Sequence, residues 1–292
     1  MIKMYGAIFI LLFNCLPSFA AEPLFLERVI VRKHSDFGQR YILETDYLER
    51  SSIRSVSEAL SLFGIDTQAR ALNYGVQSDF SFRGLNFEGL SILFNGQAIN
   101  DPQTGHHNND FPFLFDDIES VQLDPLKSSL NITTKPVEES KNKLEISAGQ
   151  YQTGSARFSV SEKTDAFGLR LSLERKESAG FREDTDFKIF TAGVSSDFEF
   201  SSQQDGFLIL GYNEKEFGAY DFYTPGRGYP SKEWTKTLIL NTGLNLISND
   251  LLIKPRFLWR RHFDKFMLDK DQIRTSYLNH HRSDIYTASL SL

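Results

Sequence analysis

From about residue 139 onward, apolar and polar residues alternate one by one, with little helical periodicity. "KLEISAG" puts Leu144, Ile146 and Ala148 on one face, and "ARFSVS" does the same with Ala156, Phe158 and Val160. "GLRLSLER" sets Leu169, Leu171 and Leu173 against Arg170, Ser172 and Glu174. Further runs carry Phe190, Ala192, Val194, Phe198 and Phe200, then Leu208, Leu210 and Tyr212, then Leu238, Leu240, Leu244 and Leu246. The pattern resumes at Phe257 and Trp259, and again at Tyr286, Ala288, Leu290 and Leu292. Successive strand residues point to opposite faces, so a period of two specifies half-exposed β-strands, about eight of them here.

Two architectures use such strands. A soluble β-sandwich turns the apolar faces inward. A membrane barrel turns them outward, toward lipid, and keeps a polar lumen. Several runs reach the ~9–11 residues that cross a bilayer at a tilt, and their opposite faces are charged or polar. Aromatics gather near strand ends, at Tyr212, Phe217, Tyr220, Phe222 and Tyr223, as interfacial girdles do. These features favour the barrel.

The N-terminus agrees with export. One basic residue, Lys3, precedes the apolar run "AIFILLFNCL", and "SFA" offers a small-residue cleavage site after Ala20. The run is shorter than the ~18–20 residues of a spanning helix. Residues 1–20 therefore read as a signal peptide, and cleavage removes Cys15, the only cysteine. A mature chain without thiols has no disulfide, cysteine-ligated zinc or cysteine nucleophile. The formal charge is -6 with no Lys/Arg-rich run, which argues against nucleic acid as a partner.

Residues 21–136 follow a different grammar, that of a small α+β domain. "SVSEALSLFG" reads as a short helix, with Ser55 and Glu58 at capping-box spacing and Gly64 as its left-handed stop. "SDFSFRG" reads as a strand. "LSILFNGQAI" is a hairpin, with Asn95-Gly96 suited to a two-residue type I′ turn. "DDIESVQLD" supplies another strand. Asp116 and Asp117 before it read as solvated residues.

The stretch "DFSFRGLNFEGLSILFNGQAINDPQTGHHNNDFPFLFDDIESVQLD" resembles the plug domain of TonB-dependent outer-membrane receptors. The resemblance rests on Arg83-Gly84 at a strand end, the Asn95-Gly96 hairpin, a polar loop, the Phe111-Pro112-Phe113 step and the strand from Ile118 to Val121. "LNITTKP" resembles the segment joining plug to barrel. The Gly-rich stretch usual before it is replaced by "PLKSS", so the plug is expected to be shorter by about one strand and turn. The expected fold class is an α+β plug followed by antiparallel transmembrane β-barrel strands over residues 137–292, an incomplete barrel of about eight strands.

The resemblance also implies a function: uptake of a scarce nutrient, such as a siderophore or cobalamin, across the outer membrane of a Gram-negative-type bacterium. It implies three partners, namely the TonB energising complex, outer-membrane lipid and a small nutrient ligand, and no bond chemistry or cofactor. "LERVIVRK" stands where the TonB box lies, with Arg28, Val29, Ile30 and Val31 as candidates. A plugged lumen belongs to a barrel of about 22 strands. A 292-residue chain holds too few residues after the plug for that number, so a fragment or a truncated copy is expected. The competing expectation is a non-transporting, adhesin-like surface protein with a small closed barrel. A secreted hydrolase finds no support, since no G-x-S-x-G elbow is present.

Histidine usage sharpens the site. His106 and His107 sit in "NDPQTGHHNND", and His280 and His281 in "LNHHRSD". Adjacent histidines in an extended chain point opposite ways, and neither H-x-x-H nor H-E-x-x-H spacing occurs, so no metal is expected. His34 and His262 have no evident partner and read as surface or lumen residues. In the family that the chain resembles, such plug loops face the incoming ligand, so Gln103, His106, His107 and Asn108 are expected either to meet ligand or to pack against the barrel wall by hydrogen bonds. The loop "DFYTPGRGYP" could add Tyr223, Arg227 and Tyr229.

Overall fold

The computed structural model describes residues 41–51, 53, 55–69, 76–248, 251–272 and 277–292. The signal peptide, His34 and the Arg28–Val31 strip lie outside them. The first described half holds β1 (Tyr41–Glu44), α1 (Thr45–Arg50), α2 (Val56–Ser61), β2 (Asp66–Ala69), β3 (Ser78–Ser81), β4 (Ser91–Phe94), β5 (Gln97–Ala98), β6 (Ile118–Asp124) and β7 (Ser129–Thr134). The second half holds β8 (Lys141–Ala148), β9 (Gly154–Lys163), β10 (Phe167–Ser178), β11 (Phe187–Ser201), β12 (Gln204–Gly218), β13 (Lys232–Ser248), β14 (Leu251–Met267) and β15 (Leu278–Ser291).

Local chemistry accounts for the small elements. The Ser55 hydroxyl accepts the Glu58 amide at 3.2 Å and starts α2, and Gly64 takes φ +70° just past its end. Asn95 and Gly96 both adopt positive φ, 49° and 81°, which closes the tight hairpin from β4 to β5. Arg83-Gly84 forms a second turn of this kind, at φ 52° and 80°. Five strands make one mixed sheet in the order β1-β6-β7-β4-β5, in which β7 runs parallel to β4. "LNITTKP" is therefore mainly a central strand of this small sheet, and the connection to the second half starts only after Thr134. Backbone donors in mid-sheet need partners on both sides, and β7 supplies them to β4 and β6.

The second half is one antiparallel meander of eight strands, β8 to β15, each bonded to its chain neighbours. Among the described residues no pairing joins β8 to β15, so the sheet is open and not the small closed barrel of the competing expectation. β11 and β12 are 15 residues long, and β13 and β14 are 17, beyond the ~9–11 needed to span hydrocarbon. Connections at one end are short, at 164–166 and 202–203, while those at the other are longer, notably 179–186 and 219–231.

The decisive feature is which face is buried. Leu144, Ile146, Phe158, Leu169, Leu171, Phe200, Leu210, Leu244, Phe257, Tyr286 and Leu290 are exposed, so the apolar stripe points outward. The polar stripe is buried: Ser172, Glu174, Thr191, Asn213, Lys215, Thr237, Asn241, Arg260 and His262 face the small sheet. A sandwich would invert this arrangement. An outward apolar surface of this extent marks a face that meets lipid or another apolar partner. Phe217 and Phe222 depart from the girdle expected of them, because they are buried in a cluster with Val76, Phe187, Ile189 and Ala219. No helix among the described residues is long and apolar enough to cross a membrane, which says nothing about strands.

Both halves belong to one compact unit. The core of the small sheet, including Ile92, Phe94, Phe113, Val121, Leu123 and Ile132, continues into the large sheet through Ile209, Ile239 and Leu258. Phe113 stacks on Phe94 with centroids 4.7 Å apart. Pro112 presses so close to β12 that a Cβ at Gly211 would lie 2.0 Å from its carbonyl oxygen. Only glycine admits that approach. Asp116 and Asp117 are also not the solvated pair expected. Asp116 meets Lys143 at 2.6 Å and Arg157 at 3.0 Å, and buried Asp117 accepts the Ser172 hydroxyl at 2.8 Å. They tie the small sheet to β8, β9 and β10, because a buried carboxylate needs partners that only the large sheet offers.

Candidate functional site

The loop from Asn100 to Phe113 lies between the two sheets, toward the end with the longer connections. Asn100 anchors its start, accepting the Ile92 amide at 2.7 Å and donating to the Leu90 carbonyl at 2.8 Å. Thr104 caps a single 3-10 turn, Gly105–His107, and Gly105 packs directly on the Phe87 backbone. The turn sends its two histidines apart, although it is not extended chain. His106 is half-buried, with Nδ1 2.7 Å from Asp79 Oδ1 and its ring stacked on Phe87 at 4.1 Å. His107 is buried and points into the large sheet.

Around His107 the structure gathers charged groups from elements remote in sequence. Its Nδ1 is 3.4 Å from Asp110 Oδ2, and its Nε2 is 3.8 Å from Asp264 Oδ2 and 4.0 Å from Glu233 Oε1. The His262 ring lies 4.4 Å from the His107 ring, so His262 is neither a surface nor an unpartnered residue. Lys215 Nζ reaches Asp110 Oδ1 at 2.6 Å and donates to the Val76 carbonyl at 3.1 Å. Arg260, 2% exposed, donates to Asp101 Oδ2 at 2.7 Å and to the His107 carbonyl at 3.1 Å. Ser283 donates to the same Asp101 oxygen at 2.8 Å.

Electrostatics follow from this packing. Burial alone lowers the pKa of the His107 imidazole, but the Asp110 and Asp264 carboxylates beside it, with Glu233, reverse the sign and raise it to about 10. Burial likewise pushes the Asp110 carboxyl up, and Lys215 and His107 more than offset it, so its pKa falls below the ordinary value. Asp101 is lowered in the same way, by Arg260 against burial.

Of the four loop residues expected to face ligand, Gln103 is exposed and His106 half-buried, while His107 and Asn108 are buried. Asn108 accepts the Asp101 amide at 2.8 Å, which holds the loop's shape. Gln103 Nε2 lies 2.9 Å from His281 Nδ1, which itself lies 2.6 Å from Asp264 Oδ1. The loop between β12 and β13 brings Tyr223 beside His106, with rings 5.5 Å apart. The Tyr223 hydroxyl accepts from Gln77 at 2.6 Å and donates to Glu233 at 2.9 Å. Arg227 and Tyr229 are exposed on the same loop, whose turn is held by Asp221 accepting the Gly226 and Gly228 amides.

Solved structures match this architecture. The ferric citrate transporter FecA in its unliganded form matches over 87% of this chain and 43% of its own, with a TM-score of 0.65 at 12% identity. The ferric yersiniabactin uptake receptor FyuA from Yersinia pestis matches over 86% and 45%, with a TM-score of 0.65 at 13% identity. The chain has the fold of the TonB-dependent outer-membrane receptors. The alcaligin outer-membrane receptor FauA from Bordetella pertussis matches over 87% and 43%, with a TM-score of 0.61 at 14% identity. The chain spans less than half the length of these receptors. No protein-family model and no curated protein matches it. In the terms of this fold, the small sheet is the plug and the large sheet is barrel wall, and the buried charges lie where the two meet.

Sequence reasoning missed most of that interface. His262, Glu233, Asp264, Lys215 and Arg260 each sit in an ordinary alternating strand. Nothing local marks them, beyond a charge on the inward stripe.

Proposed function

We propose that the chain acts in TonB-dependent uptake of a scarce nutrient complex, a ferric siderophore foremost, across the outer membrane. One observation carries the proposal: an α+β plug fills the polar face of strands whose apolar face is exposed. Such a wall suits lipid outside and a hydrated, movable plug inside. The receptors that share the fold are named for ferric citrate, ferric yersiniabactin and alcaligin, which supports the same class of cargo here.

The ligand surface on this reading lies at the end with the longer connections. Gln103 and His106 of the plug and Tyr223, Arg227 and Tyr229 of the barrel loop present donors, aromatic faces and one cation there, suited to an anionic or polyhydroxylated complex. His107 and Asn108 support this surface from beneath. TonB pulls through the Arg28–Val31 strip, and the chain makes and breaks no covalent bond.

Uptake of radiolabelled ferric siderophores by Gram-negative cells tests the proposal. Deleting residues 25–33 should abolish uptake and leave surface binding intact. Uptake that survives the deletion would overturn the assignment of the TonB strip. Competition with cobalamin separates the two cargo classes.

A further inference from the structure

Beneath the ligand surface, the plug and the wall share a cluster that ion pairing leaves incomplete. Asp110 Oδ2 and His262 Nε2 are both buried, and neither makes a hydrogen bond among the described residues. They face each other at 3.7 Å, which is too long for a hydrogen bond. His107 Nδ1 completes the triangle, 3.4 Å from the same aspartate oxygen, and all three atoms lie within 4.8 Å of one another. A cation bonded at about 2.0–2.1 Å to each of several tetrahedral ligands holds those ligands about 3.3 Å apart. The gap between His262 and Asp110 is thus too long for a hydrogen bond, and both spacings suit a shared ion.

The geometry points to a divalent transition-metal site that bridges plug and barrel, with His107, Asp110 and His262 as its ligands. Two imidazoles and one carboxylate suit zinc, cobalt, nickel or ferrous iron and disfavour magnesium or calcium, which prefer all-oxygen sets. Three protein ligands leave a fourth position open.

The surrounding groups are placed as supports for such a site. Metal-bound histidines usually spend their other nitrogen on an acceptor that fixes the ring. His262 Nδ1 lies 2.8 Å from the Thr237 hydroxyl, which leaves Nε2 aimed at Asp110. His107 Nε2 faces the Asp264 and Glu233 carboxylates on its far side. Lys215 occupies only the other oxygen of Asp110. Because Asp110 and His107 belong to the plug loop and His262 to β14, the ion would staple the plug to the wall directly beneath Gln103 and His106.

Metal content of the full chain tests this inference independently of any nutrient. The protein is purified in detergent without chelator and assayed by plasma mass spectrometry. It is then stripped and titrated with cobalt(II), whose visible ligand-field bands report imidazole and carboxylate coordination. The expected result is about one equivalent per chain, with binding weakened at least tenfold in His262→Gln and in Asp110→Asn. His280→Gln should bind as wild type, since His280 is exposed on the opposite face of β15. Far-ultraviolet circular dichroism verifies folding. If either ligand variant fails to fold, Thr237→Val keeps all three ligands and should lower affinity by about tenfold through loss of the supporting hydroxyl. Absence of saturable cobalt, zinc or nickel binding in the wild type overturns the site. So does undiminished binding in a folded His262→Gln or Asp110→Asn chain.

Discussion

Breaking the Arg260–Asp101 pair should loosen the plug from the wall. Both side chains are buried, at 2% and 0% exposure, and the guanidinium bridges Asp101 Oδ2 and the His107 carbonyl. Arg260→Met leaves the Asp101 carboxylate with only the Ser283 hydroxyl and the Gln103 amide. Removing one partner of a buried pair costs about 3–5 kcal/mol, because the remaining charge stays desolvated. Arg260→Met combined with Asp101→Leu should cost less than the sum of the two single changes by about 2–4 kcal/mol, since no orphan charge remains. Denaturant unfolding in lipid vesicles, followed by tryptophan fluorescence, measures each term. Acid adds a second reading. Burial raises the Asp101 pKa, but Arg260 brings it below 3.8, so the pair stabilises above the unfolded pKa and that stability fades as pH falls through the folded value. In Arg260→Met this loss below about pH 4 should disappear. A single-variant cost under about 1 kcal/mol, or strict additivity, would refute a desolvated pair at a docked interface.

Other perturbations probe the remaining contacts. Leu210→Arg places a charge on the outward stripe and should cost about 2–4 kcal/mol if that stripe meets the bilayer midplane, measured by folding into vesicles. Gly211→Val drives a side chain into the Pro112 carbonyl and should cost about 1–3 kcal/mol, with faster proteolysis at the Phe111–Phe113 step. Asn241→Leu strips partners from Asn95 and Gln97, which it holds at 2.8 and 2.7 Å, and should cost about 1–3 kcal/mol in the same unfolding assay.

What the sequence determined by itself is local. The period-two alternation specified the strands of the second half, because side-chain direction in a strand depends only on the parity of position. Ser55 with Glu58, Gly64 and the Asn95-Gly96 turn were legible for the same reason, since each acts within a few residues of chain. The resemblance sets Leu130–Pro136 at the end of the plug, but that its first part is a strand depends on β4 and β6 binding both edges of β7. Alternation also does not say which stripe is buried. The tertiary structure decided that, by setting a plug against the polar face, and so moved Phe217 and Phe222 from an expected girdle into a core. The buried charge cluster lay furthest out of reach. Arg260 and His107 are 153 residues apart in the chain, and no spacing rule connects them. Convergence of this kind is a property of two packed sheets, and His107 meets Asp264, Glu233 and His262 only there.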